Sequence, residues 1–295
     1  MARSLVKKVA VVTGGARGIG RMTAAALVDA GALVAIGDID GALAAQVAAE
    51  LGHGAIGAHL DVSDPSAFGV FLDTVERELG PLDVLVNNAG IMPTGPAEHE
   101  EARVTERVVA INLLGMIHGT KDAIRRMKPN GRGHVINIAS LTARVPGAGV
   151  ATYSATKAGV LAFSEAVSME LAGTGINLSV VQPSLVTTEL VAGIKLKRGT
   201  PACRPEDVAE CVIGLLNRPR FQAFVPRHVA PVAFINQALP AKLRHALTRV
   251  ARADRLIAEM DQDAHRHYDE RMRQAVSLAE PISDRPPTGG RAPDE

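Results

Sequence analysis

Tyr153 and Lys157 stand four residues apart in the run Tyr153-Ser154-Ala155-Thr156-Lys157. On a helix that spacing puts both side chains on one face. A phenol titrates near pH ~10, too high for a base at neutrality, and a neighbouring ammonium favours the phenolate. So tuned, a phenol can take a proton from an alcohol or give one to a carbonyl oxygen. Tyr-x-x-x-Lys alone is a common accident, found as a surface pair on many helices. Its neighbours give it weight here. Ser140 ends a strand upstream, Asn112 lies in the preceding helical stretch, and Asn87-Asn88-Ala89-Gly90 ends another strand. Those positions border the ligand crevice of a doubly wound sheet.

A second chemical feature is the turn Thr13-Gly14-Gly15-Ala16-Arg17-Gly18-Ile19-Gly20. Gly14, Gly18 and Gly20 follow a strand and open a helix, so backbone N–H groups can approach a pyrophosphate. The spacing is G-x3-G-x-G rather than the general dinucleotide fingerprint. Asp38 ends the second strand about 20 residues on, where a carboxylate can accept from both adenosine ribose hydroxyls. It would repel a 2′-phosphate, whereas Arg17 in the glycine turn could hold one. Asp38 lies closer to that position, which favours NAD over NADP. A competing role for Asp38 is helix capping, for which Asp40 is the better candidate.

These groups need a scaffold. The 295 residues suit one large domain, or one with an appendage. With 47% apolar residues, 3% aromatics and no Trp, the core must be aliphatic, as in parallel sheets covered by helices. Strands are expected at Val9–Val12, Leu33–Ile36, Ala55–Leu60, Val84–Val86, His134–Ile138, Ile176–Val181 and Phe221–Val225. Helices are expected between them, including one continuous stretch over Glu101–Met127, then Tyr153–Leu171 and Glu206–Leu216. This β-α alternation predicts an α/β fold: a Rossmann-type, doubly wound parallel sheet in three layers, with an extra C-terminal helical segment. The expected divisions are a dinucleotide-binding and catalytic domain over 1–228, a helical extension over 229–280 and a disordered tail over 281–295.

A net charge of +1 gives no electrostatic case for nucleic acid. Cys203 and Cys211 make neither a disulfide framework nor a metal motif, so no metal is expected. His265, His267 and Asp269 read as solvated surface. No run has the length of a signal or a membrane span, which points to a cytoplasmic protein.

The sequence resembles the compact, soluble branch of the short-chain dehydrogenase/reductase family. The resemblance rests on Thr13 to Gly20, Asp61-Val62, Asn87 to Gly90, Asn112, Ser140, Tyr153 to Lys157, and Pro183-Ser184 with Thr188. It covers about Lys7 to Val225 in family order and spacing. It implies that Ser140 orients a carbonyl and that Tyr153 is the general acid/base. Lys157 would lower the tyrosine pKa and hold the nicotinamide ribose, and Asn112 would anchor a water in a proton relay. On the cofactor side it implies Gly14, Arg17, Gly18, Ile19 and Gly20 at the phosphates, Asp38 at the ribose, and Asp61 and Val62 at adenine. Asn88, with Ala89 and Gly90, would shape the backbone near the adenosine ribose. Pro183, Val186 and Thr188 would lie at the carboxamide. A dimer or tetramer is also implied. Ser184 departs from the family, which usually has Gly there.

The expected substrate wall runs over Leu141–Val150 and Leu185–Arg204, where Leu141, Val145, Pro146, Val150, Leu185, Leu190, Val191 and Ile194 are apolar and Arg144 is set apart as a charged exception. It suits an apolar alcohol or ketone, although those residues could equally pack internally. The leading reading is an NAD(H)-dependent oxidoreductase that interconverts a secondary alcohol and a ketone. The alternatives are a non-catalytic NAD(H) sensor, or a reductase of C=C or C=N bonds. The segment from Val229 is read first as extra helices packed on the domain. A lid, an oligomer contact or an interfacial membrane helix are its other readings.

Overall fold

The computed structural model describes residues 5–191, 193–194, 201–250, 260–261, 266, 268, 270 and 272. Its centre is a seven-stranded sheet. The strands are β1 (Val9–Thr13), β2 (Leu33–Asp38), β3 (Ile56–His59), β4 (Leu82–Asn87), β5 (Gly133–Ile138), β6 (Ile176–Pro183) and, last in the chain, β9 (Gln222–Val225). Every pairing is parallel, in the order β3-β2-β1-β4-β5-β6-β9. The order reverses between β1 and β4, and in such sheets the ligand crevice opens at that switch, beyond the carboxyl ends of the strands.

The apolar runs of the sequence explain the layers. All of β1 is buried, because its alternate residues enter two different cores. Val9 and Val11 join Phe68, Leu72, Met116, Met127 and Val160 on one face. Ala10 and Val12 join Ala24, Leu27, Val47, Val208 and Leu215 on the other. The helices α3 (Pro65–Leu79), α5 (Met116–Met127) and α6 (Ala151–Glu170) cover the first face. The helices α1 (Gly18–Asp29), α2 (Gly41–Leu51) and α7 (Pro205–Asn217) cover the second.

Two elements differ from expectation. The stretch over 101–127 is not one uniform helix. Between α4 (Ala102–Val109) and α5 the backbone widens to a π turn over Ala110–Gly115, and Asn112 sits inside it. Such widenings have no periodicity signal and often mark functional positions. A short second sheet, β7 (Leu185–Val186) with β8 (Ala202–Cys203), was also not anticipated. After β9 the chain forms α8 (Ala230–Ala238) and α9 (Ala241–Val250). The expected tail over 281–295, and the trio His265, His267 and Asp269, lie outside the described residues. Among the described residues, no helix is long and apolar enough to cross a membrane, and no group of His, Cys, Asp and Glu could hold a metal ion.

His134 in β5 makes this core sensitive to acid. It is buried, 2.8 Å from Ser179 Oγ, and burial pushes its pKa down to about 4. An unfolded histidine titrates near ~6.5, so the folded state binds fewer protons between the two values. Stability is therefore lost as pH falls from about 6.5 towards 4, by on the order of 2 kcal/mol. Denaturant unfolding at neutral and mildly acid pH checks this: a His134→Asn variant should lose less stability on acidification than the wild type.

Candidate active site

Ser140 follows the end of β5. Its Oγ accepts from the Thr142 amide at 3.1 Å, which caps the helical turn Leu141–Ala143. The same hydroxyl is hydrogen-bonded to the Tyr153 phenol. Tyr153 and Lys157 lie one turn apart near the start of α6, both buried; Tyr153 is only 9% exposed. Lys157 Nζ stands 5.7 Å from the centre of the Tyr153 ring and donates to the Ile138 carbonyl at 2.9 Å. The spacing in the sequence thus translates into the expected cluster.

The electrostatics differ from expectation. Burial pushes the Tyr153 phenol up to about 12, with the Ser140 hydrogen bond opposing the rise. Burial also pushes Lys157 down to about 8. The Lys157 ammonium alone does not make the phenol a base; the protein by itself holds Tyr153 as a proton donor.

Asn112 reaches the cluster from the π turn. Its Oδ1 accepts from the Ile91 amide and its Nδ2 donates to the Ile91 carbonyl, both at 2.8 Å. A weaker contact joins Nδ2 to Thr156 Oγ1 at 3.4 Å. The side chain therefore fixes the loop after β4. Asn112 Oδ1 and Lys157 Nζ converge on Gly90, lying 3.3 and 3.6 Å from where a Cβ would stand.

The glycine turn lies across the switch point. Gly14 has a φ of +62°, and its amide donates to the Gly37 carbonyl at 2.7 Å. At Gly20 a Cβ would fall 2.1 Å from the Gly14 carbonyl oxygen, so only glycine lets α1 come this close. Asn88 Nδ2 donates to the Thr13 and Gly14 carbonyls, each at 3.0 Å. Thr13 Oγ1 accepts in return from the amides of Asn88 and Ala89. The start of α1 carries no side-chain cap, whereas Asp40 caps α2 and Asp64 caps α3. An uncapped helix N-terminus behind glycines fits the pyrophosphate of a dinucleotide.

Asp38 stands at the carboxyl end of β2. Its two oxygens accept from the Ala16 amide at 3.0 Å and the Asp40 amide at 3.1 Å. Burial raises its pKa, more than those amides and Arg17 lower it. Asp40 is the α2 cap, as its position suggests, and it also pairs with Arg17 at 3.2 Å. Asp61 bonds the Ser63 amide and hydroxyl and the Arg107 guanidinium at 3.0 Å. Burial raises Asp61, but Ser63 and Arg107 together hold it below the usual range. Val62 is buried against Gly115, and Ile19 is partly buried against the core. Pro183 at the end of β6 and Val186 in β7 are buried, and Thr188 faces Gly18, its Cγ2 3.4 Å from where a Cβ would stand.

Asn137, Thr120, Ser164 and Met92 went unremarked in the sequence, whereas Asn87 was read at its strand end and Val150, Leu190 and Val191 in the expected substrate wall. Asn87 Nδ2 donates to Asn137 Oδ1 at 2.9 Å and Thr120 Oγ1 at 3.1 Å, and Asn137 Nδ2 donates to Ser164 Oγ at 2.9 Å. Met92, Val150, Leu190 and Val191 pack around Tyr153. Polar residues inside apolar strand patterns were the available signal for Asn137; Met92 had none. Two residues of the expected substrate wall, Arg144 and Leu141, are engaged elsewhere. Arg144 bonds Gln182, Gln222 and Gln237 and lies over the Phe234 ring of α8, so it does not face the cluster. Leu141 packs with the core of Phe224, Val229 and Ala233. The Ser184 hydroxyl is tied to the Pro201 carbonyl rather than projecting toward the cofactor crevice.

Comparison with known proteins gives the class. The family model described as short chain dehydrogenase matches residues 8–199. The chain is 38% identical over 224 residues to cis-4-hydroxycyclohexanecarboxylate dehydrogenase of Sinomonas cyclohexanicum, covering 72% of this chain and 90% of that protein. It is 35% identical over 219 residues to 3-alpha-(or 20-beta)-hydroxysteroid dehydrogenase of Mycobacterium tuberculosis, covering 74% and 80%. Among solved structures, 3-ketoacyl-(acyl-carrier-protein) reductase from Brucella melitensis, complexed with NADH, superposes with a TM-score of 0.69 at 30% identity, covering 75% and 98%. The chain belongs to the short-chain dehydrogenase family. It is an oxidoreductase that uses a nicotinamide cofactor, which removes the sensor alternative.

Gly20 offers a direct check on the crevice. In Gly20→Ala the added methyl must displace the Gly14 carbonyl or the Asn88 side chain. Titration by nicotinamide fluorescence should show NADH binding weakened at least about tenfold, or about 1.4 kcal/mol. Binding equal to wild type would mean that α1 and the glycine turn do not meet the cofactor.

Proposed function

We propose that this protein is an NAD(H)-dependent dehydrogenase that interconverts an apolar, ring-shaped secondary alcohol and its ketone. The observation that carries the reading is the contact set Ser140, Tyr153 and Lys157 under a cover of Met92, Val150, Leu190 and Val191. An oxygen reaching the Tyr153 phenol must lie against those carbon side chains. Both relatives compared above are named for hydroxyl groups on ring compounds, one a cyclohexanecarboxylate and one a steroid, which supports the ring-alcohol part of this reading. A hydroxyl and a phenol bonded together suit one substrate oxygen, which favours C–O chemistry over C=C or C=N reduction.

When bound, the nicotinamide supplies the hydride for reduction, or accepts it in oxidation while its cationic form favours the phenolate. In oxidation the Tyr153 phenolate takes the O–H proton of the alcohol. In reduction Tyr153 returns the proton to the oxygen that Ser140 orients. Lys157 keeps positive charge beside the phenol and is placed to hold the nicotinamide ribose. Asn112 holds the loop after β4 beside Lys157 and is the candidate anchor for a relay water.

NAD is favoured over NADP by two features. The Asp38 carboxylate is fixed by two amides where the ribose would lie, and Arg17 is engaged by Asp40. Gly14, Gly18, Ile19, Asp61, Val62, Asn88, Ala89, Gly90, Pro183, Val186 and Thr188 complete the proposed cofactor contacts. Titration should show NADH binding at least about tenfold tighter than NADPH. Tighter NADPH binding would reverse the assignment and leave the class intact.

The catalytic assignment predicts a loss confined to turnover. Tyr153→Phe should bind NADH like wild type yet lose about a thousandfold or more in kcat. Unchanged turnover would refute the role. The pH dependence follows from Lys157: ketone reduction should hold its rate on the acid side and fall as pH passes about 8, where the ammonium is lost. Alcohol oxidation, which needs the phenol deprotonated, should gain rate from acid to neutral pH. Initial rates measured in both directions across pH check the pair. A reduction rate still climbing above that value would contradict it.

A further inference from the structure

The chain has only two tyrosines, and both meet the same residue. Tyr153 packs on Met92 in the apolar cover of the catalytic cluster. The second, Tyr268, comes from beyond α9, 176 positions along the chain, and its phenol oxygen accepts from the Met92 amide at 2.8 Å. A second tie lies on the opposite side of the cover. The Asp261 amide donates to the Gly193 carbonyl at 2.9 Å. Gly193 adopts a φ of +83°, and a Cβ there would stand 2.3 Å from the Asp261 carbonyl oxygen. Gly193 belongs to the same loop as Leu190 and Val191, which also cover Tyr153. The C-terminal part of the chain thus touches both loops that bound the substrate side: the one after β4 and the one after β7. It lies outside residues 8–199, the part matched by the family model.

We propose that Tyr268 is a substrate-positioning residue of this enzyme, setting the place of Met92 and so the size of ring alcohol that reaches Tyr153. The proposal rests on the alcohol dehydrogenase reading given above. Met92 occupies a fixed position because its amide has a tyrosine oxygen as partner. Removing that oxygen leaves a buried N–H without its partner, and the backbone must shift to find another. Such a shift moves the Met92 side chain off the Tyr153 ring and enlarges the space beside the phenol. The glycine turn and Asp38 belong to other elements, the start of α1 and the end of β2, so cofactor affinity should change little. A substrate-selecting residue so placed changes KM and preference far more than cofactor affinity.

Tyr268→Phe tests the hydrogen bond, and Gly193→Ala tests the second tie independently by pushing Asp261 away. Both are made in the full chain. Three quantities are read: exchange of the Met92 amide with solvent deuterium, NADH affinity, and kcat and KM for cyclohexanol, 4-methylcyclohexanol and a 3-hydroxysteroid. In Tyr268→Phe the Met92 amide should exchange at least tenfold faster. In both variants KM for the best wild-type alcohol should rise about tenfold, with kcat changed less than threefold. The order of preference should shift towards the bulkier ring, and NADH affinity should stay within twofold. Unchanged Met92 exchange in Tyr268→Phe overturns the proposal. Faster exchange with the same KM values and the same preference also overturns it, because Tyr268 is then structural only. A wild-type chain that oxidises none of these ring alcohols while binding NADH overturns the substrate reading and this proposal with it. An active wild type with unaltered variants overturns this proposal alone.

Discussion

An ammonium buried among carbon side chains is the constraint around which this active site is built. Lys157 is 4% exposed, and burial has already drawn its pKa down to about 8. At about 8 it is still mostly charged at neutrality, and the Ile138 carbonyl at the end of β5 accepts a hydrogen bond from it. That contact sets the position of α6 against the sheet. Asn112 comes in from the widened turn, so that its amide oxygen and the Lys157 ammonium both stand beside Gly90. The same burial that weakens the ammonium raises the Tyr153 phenol. The protein alone therefore stores an acid, and a positively charged cofactor is the natural agent for turning it into a base. This links proton transfer to the redox state of the cofactor by simple electrostatics.

Holding α6 there takes more than apolar packing, which tolerates sliding. Asn87, Asn137, Thr120 and Ser164 form a buried polar network that joins β4, β5, α5 and α6. Each bond adds only about 1 kcal/mol net, but a buried polar group left unpaired costs about 1–3 kcal/mol. Displacement of either helix would leave such groups unpaired. The network thus acts as a register pin, and it lies directly beneath the catalytic cluster. Asp61, Ser63 and Arg107 do the same for the loop after β3, with Arg107 almost fully buried.

The cofactor half of the molecule was legible in the sequence because local rules produce it. Glycines 14, 18 and 20 act through the backbone of their own turn, Asp38 ends its own strand, and Tyr153 and Lys157 share one helix. The doubly wound parallel sheet followed from β-α alternation. What was missed has no local signal. The π turn at Asn112 differs from an α-helix by a single inserted residue and leaves the hydrophobic pattern intact. Met92 and Tyr268 meet across 176 positions. The depressed Lys157 and raised Tyr153 depend on burial, which spacing cannot report. Sequence predicted a lowered phenol because it sees the neighbour and not the missing water.

Arg144 shows how far the substrate half depends on distant parts of the chain. The sequence set it apart as a charged exception in the expected substrate wall. In the fold it faces the far edge of the sheet, bonded to Gln182 of β6, Gln222 of β9 and Gln237 of α8, and stacked on Phe234. Phe234 in turn packs edge-on against Phe224 of β9. A planar guanidinium suits this task, since its fork can meet several amide oxygens while its face lies on a ring. The consequence is double. The wall near Tyr153 is left to carbon, so a charged substrate finds no partner from Arg144. And α8 is fixed to the last strand. Asp261 and Tyr268, far from the chemistry in sequence, meet the loops that cover Tyr153, and on the proposal above Tyr268 bears on the space in which the chemistry happens.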